Sequence, residues 1–481
     1  MAERGSIGRR AVLVAAASGA AAVLAGCRGD GEPEAAPTTP ATRRVELPAG
    51  LALGVATSAY QIEGAVGADG RGRSIWDEFC AVPGKIDDSS SGAVAADHYR
   101  RWEADLDLLT ELGVASYRFS IAWPRIFPQG TGTVNPKGLD FYRRLVGRLR
   151  ERGISPVATM YHWDLPQALQ QRGGWENRDV AGWFGDYAET LVKALDGVDS
   201  WLTVNEPKII VQQGYQRGWM APGRRDEVAA GKVLHHLNLA HGRAVQAFRA
   251  SGSKQARIGP CLAITPCYPF DESPESRQAT RLADVTENTL YLEPLLKGSY
   301  PALTGALDPR AAGALRAAVR DGDLAVISEP VDFLGVNYYS PAVVDPTGEM
   351  LKRYPVSAAG WQQIHPGGLT DLLVRLHRDY GLEIVVAENG LPDTAGESPD
   401  ADETRIGFLR DHLAATQAAM SQGVKVRAYH AWTLLDDFEW ARGYTQRWGL
   451  VHVDFPSQRR TPKKSARWYA DVIRTRSLEL G

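Results

Sequence analysis

The 481-residue chain is predicted to fold as an α/β protein, with one (β/α)8 barrel of the TIM type after an N-terminal signal peptide and a short linker. Three observations predict this fold. From about residue 51 to residue 478, short apolar runs alternate with amphipathic helical patterns. Eight such runs occur, which is the strand number of a TIM barrel. No linker or low-complexity segment interrupts them, so we expect a single domain.

The eight runs are short, apolar and β-prone, and each is predicted to be one barrel strand. They lie at residues 51–57, 115–120, 156–161, 201–204, 257–263, 331–338, 383–387 and 425–431. Helical patterns separate most of them; at residues 97–112, Trp102, Leu106 and Leu109 share one face. A second clear helix is predicted at residues 139–150. Residues 264–330 hold only weakly patterned helices, which are expected to decorate the barrel.

The N-terminal residues have the pattern of an export signal. Arg9 and Arg10 precede an apolar stretch at residues 11–25, which is too short to span a membrane comfortably. The arginine pair resembles a twin-arginine signal. The Leu-Ala-Gly-Cys string that ends at Cys27 resembles a bacterial lipoprotein box. We therefore expect residues 1–26 to be a signal peptide and Cys27 to be lipidated; the alternative is a plain signal peptide cut nearby.

The residues that follow Cys27 predict a tether between this anchor and the folded domain. Residues 27–46 are interpreted as a flexible linker, because they are rich in Pro, Ala, Thr, Gly and acidic side chains without an apolar period. Residues 47–478 are predicted to be the barrel domain. The protein would then be exported, with the twin-arginine pathway as a candidate route, and held at the cell surface. This lipid anchor is the membrane contact that the sequence suggests.

Charge and cysteine spacing argue against several other classes of protein. The formal net charge is −3 and no basic block is present, so nucleic-acid binding is not expected. Besides Cys27, the chain has Cys80, Cys261 and Cys267 without a Cys-x-x-Cys motif, so a zinc site is not expected. Cys261 and Cys267 could pair in an oxidising compartment or remain free. No metal or cofactor is predicted.

Two strings place a glutamate at the end of a predicted strand. Thr-Val-Asn-Glu-Pro contains Glu206 after the fourth strand, and Ile-Val-Val-Ala-Glu-Asn-Gly contains Glu388 after the seventh. Active sites of TIM barrels lie at the C-terminal ends of the strands. A carboxylic acid and a carboxylate there are the pair that glycosidic bond cleavage requires. Alone, each glutamate could merely cap a strand or pair with an arginine. Together, the two strings resemble those of the retaining β-glycosidases of glycoside hydrolase family 1, typified by β-glucosidases.

This resemblance covers nearly all of residues 48–475 and implies a double-displacement mechanism. It implies Glu388 as the nucleophile and Glu206 as the acid/base, with their carboxyl groups about 5–5.5 Å apart. Arg118, in the motif of the second strand, is expected to support the charge of Glu388. The family usually has Thr before Glu-Asn-Gly, where this chain has Ala387. This departure removes no reacting group, so the expected activity stands.

Further motifs resemble the sugar-holding strings of the family. Gln61, in Ala-Thr-Ser-Ala-Tyr-Gln-Ile-Glu-Gly, is expected to bind two adjacent hydroxyls, because an amide can donate and accept at once. Asn205 is expected to hold the 2-hydroxyl of the sugar, and Tyr339 to donate a hydrogen bond to Glu388. The other substrate-binding residues that the resemblance implies are His162, Asn337, Trp361, Trp432, Glu439, Trp440 and Trp448.

The string Trp-Thr-Leu-Leu-Asp-Asp-Phe-Glu-Trp carries the expectation on specificity. Its Glu439 is expected to accept hydrogen bonds from the 4- and 6-hydroxyls and would repel a 6-phosphate. As a metal site the string is a poor alternative, since it lacks a calcium-loop pattern.

The resemblance therefore implies a β-D-glucosidase that hydrolyses terminal non-reducing β-D-glucosyl residues of small β-glucosides or cello-oligosaccharides. β-Galactosidase, β-fucosidase and transglycosidase activities of the same family remain open. So does a non-catalytic, glycan-binding surface lipoprotein, although both carboxylates are present in this chain. The oligomeric state is not predicted.

Overall fold

The predicted barrel is confirmed. The computed structural model describes residues 43–252, 255–394 and 398–480. Eight parallel strands close into a barrel in chain order, and the last strand pairs with the first. We number them β1 (Ala52–Ala56), β2 (Ser116–Ser120), β3 (Ser155–Tyr161), β4 (Ser200–Asn205), β5 (Arg257–Ala263), β6 (Leu334–Asn337), β7 (Ile384–Asn389) and β8 (Val426–Trp432).

The strand predictions hold because these strands are buried along most of their length. Every residue of β2, β4, β6 and β7 is buried, so each strand reads as an uninterrupted run without polar alternation. The predicted run at 331–338 was too long at its N-terminal end. There the carboxylate of Asp332 accepts a hydrogen bond from the Ile258 backbone N–H at 2.8 Å, so that a side chain takes the place of strand pairing.

The helices surround the barrel. The outer helices are α1 (His98–Leu112), α2 (Pro136–Glu151), α3 (Asp179–Ala194), α4 (Glu227–Ala250), α5 (Pro309–Ala318), α6 (Pro366–Tyr380), α7 (Glu403–Ser421) and α8 (Lys464–Thr475). The other helices are Ala59–Ile62, Ile75–Cys80, Trp123–Ile126, Gln167–Gln170, Pro207–Ile209, Pro274–Asp284, Leu290–Lys297 and Asp323–Ile327. Short 3-10 or π turns occur at Gly174–Glu176, Ile210–Gln216, Val285–Thr289 and Trp440–Arg442.

Helix α1 illustrates how the sequence sets these elements. Trp102, Leu106 and Leu109 are buried on one face of α1, as their spacing predicts. The helix ends where Gly113 adopts a left-handed conformation, with φ of +69°, and caps the last turn. The helix predicted at 139–150 begins earlier, at Pro136, because proline fits the first turn of a helix without loss of a hydrogen bond.

The folded unit begins before the predicted domain boundary. The strand Arg43–Glu46 pairs antiparallel with the strand Ser477–Leu480, and this pairing buries Val45 and Leu478. The linker predicted at residues 27–46 was therefore too long at its C-terminal end, because residues 43–46 are held by a partner strand. The predicted signal peptide, Cys27 and the rest of the predicted linker lie outside the described residues.

The remaining short strands lie in the connections: Cys267–Pro269, Ala342–Val344, Met350–Leu351, Asp393–Thr394, Gln446–Arg447, Val451–Asp454 and Arg459–Pro462. Cys80, Cys261 and Cys267 are free thiols, so the pairing of Cys261 with Cys267 that the sequence left open does not occur here. Within the described ranges, no helix has both the length and the apolar character needed to cross a bilayer.

Candidate active site

The two predicted glutamates lie at the C-terminal end of the barrel. Glu206 directly follows β4, and Glu388 is the penultimate residue of β7. Both side chains are almost completely buried. The backbone of Glu206 is left-handed, with φ of +49°, and Pro207 then starts a short helix. The chain therefore turns sharply at Glu206, where its N–H donates to the carbonyl of Cys261 on β5 at 2.8 Å.

A continuous chain of hydrogen bonds joins the two glutamates. Arg118 donates through Nη1 to Glu388 Oε1 at 2.5 Å and through Nη2 to Asn205 Oδ1 at 2.8 Å. Asn337 Nδ2 donates to the same Asn205 oxygen at 3.2 Å and to Glu206 Oε1 at 2.8 Å. Strands β2, β4, β6 and β7 thus each contribute to one polar cluster. The structure brings these five predicted residues together.

The second oxygen of Glu388 also has a partner. Tyr339 donates its hydroxyl to Glu388 Oε2 at 2.8 Å, as the sequence predicted. Arg118 donates in addition to the carbonyl of Ala387 at 3.1 Å. Glu388 is therefore held from both sides although Ala387 offers no hydroxyl.

Burial and neighbouring charges give Glu206 and Glu388 different chemical roles. Burial raises the pKa of Glu206 to about 8, and the neighbouring charge of Glu388 acts in the same direction. Hydrogen bonding from Asn337 and the charges of Lys208 and Arg118 oppose this rise. Glu206 is thus a carboxylic acid that keeps its proton near neutral pH, next to a carboxylate paired with an arginine.

Gln61 and Glu439 form a second polar cluster in the same mouth. Gln61 Nε2 lies 3.2 Å from Glu439 Oε2 and 3.2 Å from Asp437 Oδ2. Burial, and then the charge of Glu388, raise the pKa of Glu439 to about 8. The charge of Glu388 thus acts on both polar clusters.

Aromatic rings line the mouth. The His162 ring stacks 5.8 Å from both Trp432 and Trp440, measured between ring centroids. Its Nε2 pairs with Asn205 Nδ2 at 3.0 Å, whereas its buried Nδ1 has no partner among the described residues. Burial and the charge of Arg118 lower the pKa of His162 well below its usual value, so the ring is neutral.

The remaining two tryptophans lie on the side of Tyr339. Trp448 is buried and packs edge-on against Tyr339, with ring centroids 5.7 Å apart. Trp361 lies 6.1 Å from Tyr339 and is 50% exposed, which places it at the rim. Except for Gln61 and Glu439, on which the charge of Glu388 acts, the predicted residues of the barrel site therefore belong to one continuous set of contacts.

Three residues of this set were missed from the sequence. Trp163, the residue after His162 and two residues beyond the end of β3, donates its Nε1 to the Asn205 carbonyl at 3.0 Å and packs on Trp440. Lys208 follows Glu206 by two residues but pairs with the distant Glu287. Asp437 was considered only as a metal ligand. In the described ranges, no group of three or more His, Cys, Asp or Glu side chains is arranged to hold a metal ion.

An acid and a carboxylate joined by one hydrogen-bonded cluster at the C-terminal end of a TIM barrel are the arrangement of a glycoside hydrolase. The chain belongs to glycosyl hydrolase family 1, whose sequence model matches residues 43–478.

Named relatives agree with this membership. Beta-glucosidase A of Acetivibrio thermocellus is 44% identical over 446 residues, which cover 90% of this chain and 99% of that protein. The 1,4-beta-D-glucan glucohydrolase of Thermotoga neapolitana is 40% identical over 446 residues, with the same coverage. The structure of the beta-glucosidase from Thermotoga maritima in complex with glucoimidazole superposes with a TM-score of 0.84 at 40% identity, covering 90% of this chain and 99% of that chain.

Proposed function

We propose that the protein is a retaining β-D-glucosidase that removes terminal non-reducing β-D-glucosyl residues from small β-glucosides or cello-oligosaccharides. The observation that carries this proposal is the asymmetry of the two glutamates. Glu388 is a carboxylate paired with Arg118, whereas burial and that charge keep Glu206 protonated. The names of the relatives, which are β-glucosidases and a β-glucan glucohydrolase, support glucose as the sugar.

In the first step, Glu388 attacks the anomeric carbon while Glu206 gives its proton to the glycosidic oxygen. The bond between the anomeric carbon and that oxygen breaks, the aglycone leaves as an alcohol, and a glycosyl ester of Glu388 remains. Asn205 lies beside Glu206, where an amide can hold the 2-hydroxyl as positive charge develops on the adjacent carbon.

In the second step, the same two groups act in reverse. Once Glu388 is an ester it has no charge, so one of the two influences that raise the pKa of Glu206 is removed, while burial remains. Glu206, now ionised, takes a proton from water, and the hydroxide oxygen displaces Glu388 from the anomeric carbon. The product keeps the β configuration because two inversions have occurred.

Gln61, Glu439 and Trp432 are proposed to recognise the sugar ring. Gln61 and Glu439 together offer donors and acceptors to adjacent hydroxyls. When Glu439 is ionised, its charge disfavours sugars that carry a phosphate at the same position. The flat face of Trp432, parallel to His162, suits the C–H face of a pyranose.

The test uses the protein that begins at Arg43, assayed with p-nitrophenyl β-D-glucoside, galactoside, fucoside and 6-phosphoglucoside. We expect the glucoside to be turned over efficiently and the 6-phosphoglucoside not at all. Glu388→Gln should lower kcat by at least about four orders of magnitude. The matched control is Glu151→Gln at the exposed end of α2, which should keep full activity. A folded protein without turnover of any of these glycosides would favour the glycan-binding alternative.

We also propose that the protein is exported and anchored to the cell surface by a lipid on Cys27. The arginine pair, the apolar stretch and the Leu-Ala-Gly-Cys string support this proposal. The full-length protein expressed in a bacterium with radiolabelled palmitate should carry the label and sediment with membranes. Cys27→Ser should lose both properties. A wild type that carries no label and remains in the supernatant after the membranes are pelleted would contradict the proposal.

A further inference from the structure

Two consecutive buried aspartates have opposite surroundings. Asp436 accepts hydrogen bonds from Lys463 Nζ at 2.9 Å and from Arg447 Nη1 at 3.1 Å. Asp437, next in the chain and equally buried, contacts no cation among the residues that the structure describes. Its Oδ2 accepts from Gln61 Nε2 at 3.2 Å, and its buried Oδ1 has no hydrogen-bond partner in the described part of the chain.

The charges that face Asp437 are mostly negative. Glu439 on the same loop, Asp436 before it and Glu388 on β7 all disfavour ionisation of Asp437, and the only cation among the main influences on it is Lys463, which precedes α8. The phenol of Tyr444 lies within the electrostatic influence of Asp437 and donates to the Ser91 carbonyl at 2.8 Å. Burial and these charges raise the pKa of Asp437 well above its usual value. A buried carboxylate without a cation is strongly disfavoured, so a neutral acid is the expected form.

The geometry couples this acid to the sugar-binding pair. A primary amide nitrogen has two N–H donors, and Gln61 Nε2 lies 3.2 Å from an oxygen of Asp437 and 3.2 Å from an oxygen of Glu439. The other end of the Gln61 amide is fixed, because its Oε1 accepts from Ser58 Oγ at 2.7 Å. One amide therefore donates a hydrogen bond to each of two acids. It links them as a shared proton links a pair of close carboxyl groups.

We propose that Asp437 is a positioning residue for recognition of the sugar: as a neutral acid it holds the Gln61 amide in place and lets that amide fix Glu439. Asp437 acts through these two residues and touches no reacting atom. When the pair of acids loses its last proton, the two negative charges repel, Glu439 moves away from Gln61, and the sugar binds less tightly. This inference rests on the proposed glucosidase function.

Two variants test whether Asp437 acts as a neutral acid or as an ionised carboxylate. Asp437→Asn keeps the shape, the acceptor towards Gln61 and a neutral charge, so KM for p-nitrophenyl β-D-glucoside at pH 6 should stay within about threefold of the wild type. Asp437→Ala removes the contact, so KM should rise about tenfold with little change in kcat. If Asp437→Asn costs as much as Asp437→Ala, the proposal is wrong.

A pH profile supplies the second readout. The substrate is 2,4-dinitrophenyl β-D-glucoside, whose leaving group departs without protonation, so the titration of Glu206 does not mask the result. For the wild type, kcat/KM should fall at alkaline pH. For Asp437→Asn, this fall should be absent or lie at least about one pH unit higher, because ionised Glu439 then has no second negative charge beside it to repel it from Gln61. An unchanged alkaline limb would overturn the proposal.

Failure of this inference is distinguishable from failure of the proposed function. A wild type that does not hydrolyse either glucoside contradicts the function itself. An active wild type with two equivalent Asp437 variants contradicts only the positioning role. Circular dichroism and melting of each variant exclude misfolding as the cause of a loss.

Discussion

Lys208 is the charged residue that the structure adds next to the acid/base. It lies two residues after Glu206 and forms a buried ion pair with Glu287 at 2.8 Å. Its charge lowers the pKa of Glu206, against the effects of burial and of Glu388. The acid form of Glu206 is required for the first step, so activity on substrates with poor leaving groups should fall as the pH rises through about 8.

Lys208→Met should therefore raise the pKa of Glu206 and move this alkaline limit upwards, by about one pH unit or less. The measurement is kcat/KM for cellobiose as a function of pH. Glu287→Gln is combined with Lys208→Met so that no carboxylate is left buried without a partner. Lys193→Met, at an exposed position on α3, is the control and should not move the limit. A limit that moves to lower pH would contradict the account.

Among the individual residues of the site, those that lie within recognisable motifs were predicted from the sequence. Glu206, Glu388, Asn205 and their partners were found because short strings fix their positions at strand ends. The pair of Lys208 with Glu287 was not found, because Glu287 lies in the segment 264–330, where helical periodicity is weak. The state of Asp437 depends on which of two neighbouring aspartates meets a cation, which a single sequence does not reveal.

The loop after β8 is the element on which recognition of the sugar depends. It carries Glu439, Trp440 and Trp448, and Asp436 near its start pairs with Lys463 outside the loop and with Arg447 further along it. These cations hold the pKa of Asp436 well below its usual value. Asp436→Asn should lower the free energy of unfolding by about 3 kcal/mol at pH 7, because Lys463 and Arg447 lose a buried charged partner.

The contribution of Asp436 to the free energy of unfolding depends on pH, and the lowered pKa of Asp436 sets the direction of this dependence. Stability from Asp436 is present above the pKa of the unfolded chain and is lost as the pH falls towards the lower folded value. The difference in unfolding free energy between wild type and Asp436→Asn should be complete at neutral pH and should narrow below about pH 4. Urea denaturation at several pH values measures it. A difference that grows on acidification would contradict this ion pairing.

Strands were predicted well where burial requires an apolar sequence, and poorly where most of their side chains are exposed. The eight barrel strands are apolar runs because neighbouring elements cover them. The strand Arg43–Glu46 has one buried side chain in four and pairs with Ser477–Leu480 at the opposite end of the chain. Neither its pattern nor its partner is visible locally, so residues 43–46 were assigned to the linker.

For the whole molecule, this terminal pair predicts where the folded unit can be cut. Compared with a protein that begins at Arg43, one that begins at Leu47 exposes Leu478 and loses Val45, which should cost about 2 kcal/mol and lower the melting temperature by a few degrees. Differential scanning calorimetry of the two proteins measures this. Identical melting curves would show that the pair adds no stability.

The most direct test of the central claim is to trap the covalent intermediate. A 2-deoxy-2-fluoro-β-D-glucoside with a good leaving group slows both steps, the second more than the first, so the glycosyl enzyme accumulates. After incubation, the intact protein should gain the mass of one fluorinated glucosyl residue, and peptide mapping should locate it on Glu388. Label on another residue, or an active enzyme that gains no mass and releases α-glucose first, would contradict the account.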